Sequence, residues 1–428
     1  MLELFIYKLF TKTYHWLIRL AAIGSKKARL WIEGRKKVFS TLKQKISIQS
    51  PKVWFHCASL GEFEQARPVL EAFKKEYPHF QIILTFFSPS GYEVRKNYPH
   101  ADIITYLPED SPNNAQKFLD VVSPVLICWT KYEFWHFYLQ QAHQRNVPII
   151  LFSAIFRENQ LFFRKSVRLY KNMLHYFCHI FVQDLHSLQL LKGIGISHCS
   201  QANDTRFDRV WQIVQESQET EQVKQFKNCI PLLIVGSAWL EDWQLIKNFL
   251  KEFKSPLKVI VAPHEISSEY LNIIEKDCKE AAFFSKMQEI ENIADYKFLI
   301  VDTMGHLSAL YRYADFAWVG GGFKQGLHNI LEAATFGMPI FFGNKAYQKF
   351  KEAQDLISLQ GAFAIADVKD FIDIFSDLYS KLDALEEKKN ITQNYIRENI
   401  GGSGQIMKKI RELLNEPYEK TKNSLKSF

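Results

Sequence analysis

Eleven short runs of β-branched and aromatic residues, set between helical segments, constrain the fold of this chain more than any other feature. In the first half they are VWFHC (53–57), QIILTFF (81–87), DIITY (102–106), VLICWT (125–130), PIILFS (148–153) and HIFVQ (179–183). The second half repeats the rhythm with LLIVGS (232–237), LKVIVAP (257–263), KFLIVDT (297–303), FAWVGGG (316–322) and MPIFFG (338–343). These runs are continuously apolar instead of alternating. Both faces of each strand must therefore be covered, which is the condition of a parallel sheet between helices. A chain of 428 residues fits two domains of about 200 residues better than one. The expected fold class is α/β, with two doubly wound, Rossmann-like units. Their boundary is expected near Asp204–Val210, ahead of a charged, solvated helix at 211–227. The divisions that follow are an arm at 1–45, a first domain at 46–207, a second at 208–416 and a polar, fraying tail at 417–428.

Charge is unevenly placed. Residues 1–45 hold eleven Lys/Arg and two acids, a net +9, whereas the whole chain is +8, so the remainder nets −1. A nucleic-acid partner for the body of the protein is poorly supported. The six cysteines are scattered with no CxxC pair, which reads as reduced thiols in the cytoplasm and argues against a thiolate metal site. In the arm, Leu2, Phe5, Ile6, Leu9, Phe10, Leu17, Ile18 and Ala21 fall at helical spacing, with Lys8, Lys12 and Arg19 between them. No stretch is long and apolar enough for a transmembrane span, and no small-residue cleavage site marks a signal peptide. Behind the helix come Lys26, Lys27, Arg29, Arg35, Lys36 and Lys37, with Trp16 and Trp31 as candidate interface anchors. An interfacial helix backed by a polybasic segment on anionic lipid fits this pattern; an ordinary amphipathic helix packed on the domain is the alternative.

In doubly wound sheets, ligands bind outside the carboxyl ends of the strands, and two facing domains form a cleft. That rule selects the residues to weigh. VWFHC leads into Ser59-Leu60-Gly61-Glu62, where Gly61 permits a tight turn and Glu62 enters the first turn of a helix. A carboxylate there could accept a proton from a sugar hydroxyl; Ser59-x-x-Glu62 is equally a capping box. Ser88-Pro89-Ser90 opens the next helix and could hold an anion, or simply cap it. Lys131-Tyr132-Glu133-Phe134-Trp135 sets a charged pair beside aromatic rings, with Glu133 its notable member. Ser59, Gly61, Ser90 and Lys131 form the expected acceptor side. In the second half, Gly236-Ser237, Met304-Gly305-His306 and Gly320-Gly321-Gly322 end strands with glycine, letting backbone approach a phosphate or ribose. Asn329-Ile330-Leu331-Glu332 has capping-box spacing, and its carboxylate could alternatively bind ribose hydroxyls. Pro263-His264 stands at another strand end, where a lone histidine is usually structural.

In their order and spacing these motifs resemble the Kdo (3-deoxy-D-manno-octulosonic acid) transferase family, lipid A-specific, which builds the inner core of lipopolysaccharide. The resemblance runs from the basic arm through Ser59–Glu62, Tyr132–Trp135, Asp204-Thr205-Arg206-Phe207-Asp208, Gly236-Ser237, Asp302–Gly305 and Gly320–Gly322 to His328–Glu332. It implies a GT-B fold, with two Rossmann-like domains facing a central cleft. It also implies CMP-Kdo as donor, a lipid A precursor (lipid IVA) as acceptor, and the cytoplasmic face of the inner membrane as location. Carried onto this chain, Glu62 matches the family's general base, and Glu133 and Arg206 match positions that stabilise the transition state. Ser237, Pro263, His264, Met304, Gly305, His306, Gly321, Asn329, Ile330, Leu331 and Glu332 match the CMP side. The chain departs from the family pattern at Lys131, which replaces a glutamate, and at Pro263-His264-Glu265, where Pro-Arg-His is commoner. It departs again at Arg206, which replaces a lysine, and at His306, which replaces an acidic residue.

The chemistry so implied is inverting transfer, with Glu62 taking a proton from the attacking hydroxyl as CMP leaves from the opposite face. No cofactor and no metal are expected, since no DxD-like motif stands at the donor positions. Two other readings stay open: a membrane-associated GT-B transferase using a UDP-sugar, and a non-catalytic, membrane-attached nucleotide-binding module.

Overall fold

The computed structural model describes residues 2–425 apart from 132 and 165. It divides into two compact units at Arg209/Val210, and residues from Ile400 onward belong to the first. Seven strands build the sheet of the first unit: β1 (Lys52–Cys57), β2 (Gln81–Phe86), β3 (Ile103–Tyr106), β4 (Leu126–Thr130), β5 (Ile149–Ala154), β6 (His179–Val182) and β7 (Cys199–Gln201). Their order is β3-β2-β1-β4-β5-β6-β7. Seven more build the second: β8 (Leu232–Ala238), β9 (Lys258–Pro263), β10 (Ala281–Phe283), β11 (Phe298–Ile300), β12 (Phe316–Val319), β13 (Ile340–Gly343) and β14 (Ala362–Ile365). These run β10-β11-β9-β8-β12-β13-β14. Each described pairing is parallel. Both orders reverse direction at the first strand of the unit, between β1 and β4 and between β8 and β12. Those are the topological switch points where a crevice opens at the carboxyl ends.

The double-sided cover expected of the apolar runs is visible along single strands. Trp54 packs with Trp129, Tyr138 and Phe118 on one face of the first sheet. Its neighbours Val53 and Phe55 pack with Phe63 and Phe73 on the other. The short strands β7, β10 and β14 were not among the expected runs. The second domain was expected to reach residue 416, and the structure corrects this. The helix Gly402–Leu425 places Ile406, Met407 and Ile410 in the core with Phe55 and Phe63 of the first unit. Asp208 receives the N–H groups of Gly401 (2.6 Å) and Ser403 (2.7 Å), which caps that returning helix. Of the polar tail expected at 417–428, the backbone is helical to Leu425, and 426–428 lie outside the described residues. The solvated helix expected at 211–227 is two helices, Thr205–Glu216 and Glu221–Lys227.

The arm forms three helices, Leu2–Ala21, Lys26–Lys36 and Val38–Lys45. The first is docked by its polar side. Tyr7, Thr11 and His15 are buried, whereas Leu2, Phe5, Ile6, Leu9, Phe10, Trp16, Leu17 and Leu20 are 46–71% exposed. The Tyr7 hydroxyl donates to Asp110 Oδ2 (2.6 Å), His15 meets Glu109 (3.2 Å), and Glu3 accepts from the Arg168 and Leu169 N–H groups (3.1 and 2.6 Å). Two members of the expected surface are not on it. Trp31 is 5% exposed, and the Arg35 guanidinium stacks on its ring at 3.6 Å. That guanidinium donates to the carbonyls of Leu107 (2.9 Å), Trp31 (3.0 Å) and Phe87 (2.7 Å). Burial disfavours the Arg35 charge, and these carbonyls and ring faces replace water around it. Among the described residues no helix is long and apolar enough to cross a membrane.

Candidate active site

In the first unit, the residues singled out from the sequence cluster at the switch point. Glu62 lies in the first turn of the helix Leu60–Glu76 that follows β1. Ser59 is its N-cap, yet the Ser59 side chain makes no capping hydrogen bond to the helix backbone; its hydroxyl donates to the Glu62 carboxylate. The capping-box alternative is therefore not closed here. Gly61 has an ordinary helical backbone, and a Cβ built on it would meet only the Ser59 hydroxyl, at 3.8 Å. The tight turn expected of Gly61 is thus not what it provides. What it does is withhold a side chain beside Glu62. Ser90 sits within a cap, its N–H on the Ser88 hydroxyl at 3.3 Å, which is the plainer of its two readings.

Glu133 follows β4 and is held from two sides. His56 Nε2 (3.2 Å) and Trp135 Nε1 (2.9 Å) both meet Oε2, while the Trp129 indole donates to the Glu133 carbonyl. Tyr132 lies outside the described residues. Lys131, at the end of β4, has φ of 65°, a left-handed conformation that costs a non-glycine residue about 1 kcal/mol and concentrates at functional positions. Arg206 is engaged with the buried Asp204 through Nε (2.9 Å) and Nη2 (2.8 Å). Burial works to raise the Asp204 carboxyl, but Arg206 and Lys131 outweigh it and hold it below the usual range. The Cys57 thiol is pushed up by burial, with Glu62 and Glu133 adding to the effect. Both carboxylates thus act on one strand end.

The second unit gathers its residues at the matching strand ends. Ser237 interrupts β8 with φ of 50°, at the point where the β8–β9 register shifts. Gly321 has φ of 89°, and a Cβ there would stand 2.3 Å from the Gly326 carbonyl oxygen. This glycine is required by the turn closing on itself, where the sequence suggested room for a phosphate. Gly305, with φ of 91°, does open on empty space, between exposed Met304 and His306. Pro263 ends β9, and His264 beside it stacks on both Trp239 (centroids 4.3 Å) and His328 (4.4 Å). Trp239 Nε1 donates to His328 Nε2 (3.0 Å), which places the proton of a neutral His328 on Nδ1. Burial, with His264 nearby, pushes His328 down to about 4. Burial lowers His264 as well, with Glu265 opposing.

Glu332 accepts from Asn329 Nδ2 (3.1 Å) and from the Ser308 hydroxyl, and the Leu331 N–H donates to Asn329 Oδ1 (3.2 Å). The side chains of Ile330 and Leu331 are buried in the core, which leaves their backbone as the part a ligand could meet. A groove of about 920 Å³ lined by Leu240, Trp243, Phe323, Lys324 and Asp367 contains none of the expected donor residues. Among the described residues no group of three or more His, Cys, Asp or Glu is placed to hold a metal ion. Sequence reasoning missed His56, Thr85 and Ser308, and the pairing of Trp239 with His328. His56 and Thr85 stand near strand ends and meet through strand register, whereas Ser308, in the helix Leu307–Leu310, reaches Glu332 across 24 residues of sequence.

Comparison with known proteins adds to this geometry. The family model described as 3-Deoxy-D-manno-octulosonic-acid transferase (kdotransferase) matches residues 28–209. The chain is 27% identical over 368 residues to a 3-deoxy-D-manno-octulosonic acid transferase of Aquifex aeolicus, covering 85% of this chain and 93% of that protein. It is 26% identical over 372 residues to one of Chlamydophila psittaci, covering 82% of each. Among solved structures it resembles the UDP-GlcNAc 2-epimerase from Neisseria meningitidis bound to UDP-GlcNAc. The TM-score there is 0.56 at 14% identity, over 85% of this chain and all of that one. At that identity the likeness is one of fold, and it places both sheets in the GT-B-like, two-Rossmann architecture.

Proposed function

We propose that this chain, similar over most of its length to Kdo transferases, is itself a Kdo glycosyltransferase of lipopolysaccharide synthesis, and that it transfers Kdo from CMP-Kdo to a lipid A precursor, lipid IVA, with inversion. The observation that carries this reading is the state of Glu62. It stands at the carboxyl end of β1, beside a glycine, with its carboxylate on the Ser59 hydroxyl instead of closing a cap. In the proposed reaction an acceptor hydroxyl oxygen bonds to the anomeric carbon of Kdo and passes its proton to Glu62. The bond from that carbon to the CMP phosphate breaks, and its electron pair leaves on the phosphate. General-base help of this kind is worth about 10²–10⁴ in rate. Glu133 would offset positive charge developing on the sugar, and Arg206 negative charge on the departing phosphate. The second unit would hold CMP through its strand-end loops, with Glu332 offered to ribose hydroxyls. The reaction so written uses no metal and no cofactor.

The exposed apolar row of the helix Leu2–Ala21 supports attachment to an anionic inner-membrane surface on its cytoplasmic face. A helix packed in the ordinary way would bury that row, whereas here the polar side is buried. The deciding experiment incubates the full chain with CMP-Kdo and a tetraacylated lipid A precursor and weighs the product, in parallel with UDP-sugars and with EDTA. A mass gain of whole Kdo units, unaffected by EDTA, is expected. No gain from CMP-Kdo, or gain from a UDP-sugar instead, would overturn the reading.

A further inference from the structure

Glu133 is held by a buried hydrogen-bonded chain that begins two strands away. β1 and β2 are in register with His56 opposite Thr85, and β1 and β4 with His56 opposite Trp129. These facing side chains share one face of the sheet, and His56 is completely buried. Trp54, two residues earlier on the same face, donates its indole N–H to Thr85 Oγ1 at 2.7 Å. His56 Nδ1 stands 2.8 Å from that oxygen, and Nε2 stands 3.2 Å from Glu133 Oε2. The Phe55 carbonyl, the other acceptor within reach of the Thr85 hydroxyl, is farther, at 3.4 Å.

The directions of these bonds follow from what each group can do. The Trp54 indole only donates, so Thr85 Oγ1 accepts from it. An ionised Glu133 only accepts, so the imidazole must present a proton at Nε2. In a neutral ring Nδ1 is then bare and takes the Thr85 hydroxyl proton, the shorter of that hydroxyl's two options. The chain Trp54 → Thr85 → His56 → Glu133 therefore runs in one direction, every donor matched to an acceptor. His56 and Trp135 both meet Oε2, which holds that oxygen from two directions. A buried chain of this kind is costly when half satisfied and stiff when complete.

We propose that His56, held as its Nε2–H form by Thr85, is a positioning residue that fixes the orientation of the Glu133 carboxylate for the sugar-transfer step. The inference rests on the transferase reading for its kinetic consequence, though not for its geometry. Residues that orient a reacting group in this way cost roughly 10- to 100-fold when lost. His56→Leu and Thr85→Val remove the chain at two points, whereas His56→Gln keeps an N–H donor and Thr85→Ser keeps the hydroxyl.

The test has a kinetic and a spectroscopic arm, both on the full chain. In transfer from CMP-Kdo, His56→Leu is expected to lower kcat about 10- to 100-fold with donor KM within about twofold, and His56→Gln to restore most of the loss. In a Glu133→Ala background, His56→Leu is expected to add little, because its target is gone. Loss that His56→Gln does not restore, or that reappears in full without Glu133, overturns the proposal. In ¹⁵N-histidine spectra, with the His56 signal identified by its absence from His56→Gln, a proton on Nε2 is expected, and a bare Nε2 overturns the proposal. Absence of turnover in the unsubstituted chain would sink the transferase reading. The Nε2 measurement then decides the His56–Glu133 geometry by itself.

Discussion

Replacing Tyr7 by phenylalanine tests how the N-terminal helix is held. The change removes one oxygen and leaves the ring, whose edge-on contacts with His136 (5.7 Å) and Phe137 (5.9 Å) need no hydroxyl. That oxygen donates to Asp110 Oδ2 at 2.6 Å and accepts the His136 N–H at 3.0 Å. Asp110 is 4% exposed, and its other donors are the more distant N–H groups of Phe137 (3.2 Å) and Tyr138 (3.3 Å). A hydrogen bond to a buried charge is worth about 1.5–3 kcal/mol, and stranding the His136 N–H adds roughly 1 kcal/mol. The docked helix should therefore lose about 2–4 kcal/mol, or roughly 30- to several hundred-fold in hydrogen-exchange protection across residues 2–21.

The pH dependence has a defined sign. Burial already pushes the Asp110 carboxyl up to about 6, above its ordinary 3.8. A carboxyl raised on folding favours the folded state at low pH and loses that contribution as pH rises through the folded value. Without Tyr7 the carboxyl rises further. The variant's deficit should then be greatest above pH about 6 and shrink on acidification. Exchange measured at pH about 7.5 and about 5, corrected for intrinsic rates, checks both parts. Protection unchanged within twofold at the higher pH, or a deficit that grows at the lower, would refute the argument.

Four further outcomes are expected. Glu62→Gln should lower kcat about 10²–10⁴-fold with unchanged melting, and Ser59→Ala should cost a smaller part of that; wild-type turnover in Glu62→Gln removes the base assignment. Gly321→Ala combines a φ of 89° with a Cβ 2.3 Å from the Gly326 oxygen. It should destabilise the second unit by roughly 2–4 kcal/mol in calorimetry and weaken CMP binding, and an unshifted transition refutes the packing account. His328 is pushed down to about 4 from its ordinary 6.5, so its neutral form stabilises the fold above pH 6.5 and that contribution is lost as pH falls toward 4. Melting of His328→Gln should be less pH-dependent in that window, and an identical slope would count against it. Phe5→Glu with Leu9→Glu should weaken flotation with anionic vesicles by at least about 100-fold while leaving the fold intact, because two exposed apolar side chains leave the contact surface. Equal flotation would place the membrane contact elsewhere.

The placement of much of the candidate site was legible in the sequence because it follows from one rule. Glu62, Lys131 and Glu133 were selected as residues after apolar runs, and those runs are β1 and β4, the pair flanking the switch point. Ser237, near the end of β8, and Gly321, after β12, were selected for the same reason. The partners were not legible. His56 and Thr85 are 29 residues apart and meet only because β1 and β2 pair with that register. Trp239 and His328, 89 apart, likewise share a bond that no local pattern announces. In the arm, Leu2, Phe5, Ile6, Leu9, Phe10 and Leu17 of the expected row are exposed, whereas Ile18 is half-buried. Trp31 and Arg35 read as exposed members of a basic, aromatic segment, and only the docking of that helix buries Trp31 and turns the half-buried Arg35 onto backbone carbonyls.

By itself the sequence determined the α/β class, the two-unit division near Arg209 and the strands long and apolar enough to be sheet interior. Continuous hydrophobic runs leave a chain few other ways to remove them from water. The tertiary structure alone decided the short strands β7, β10 and β14, the return of the last helix to the first unit, and which side of the N-terminal helix faces outward. These depend on what each segment packs against. A three-residue strand acquires its identity from its neighbour's unpaired backbone, and a helix with one polar and one apolar side can dock by either. Here a buried Asp110 awaiting the Tyr7 hydroxyl made the choice.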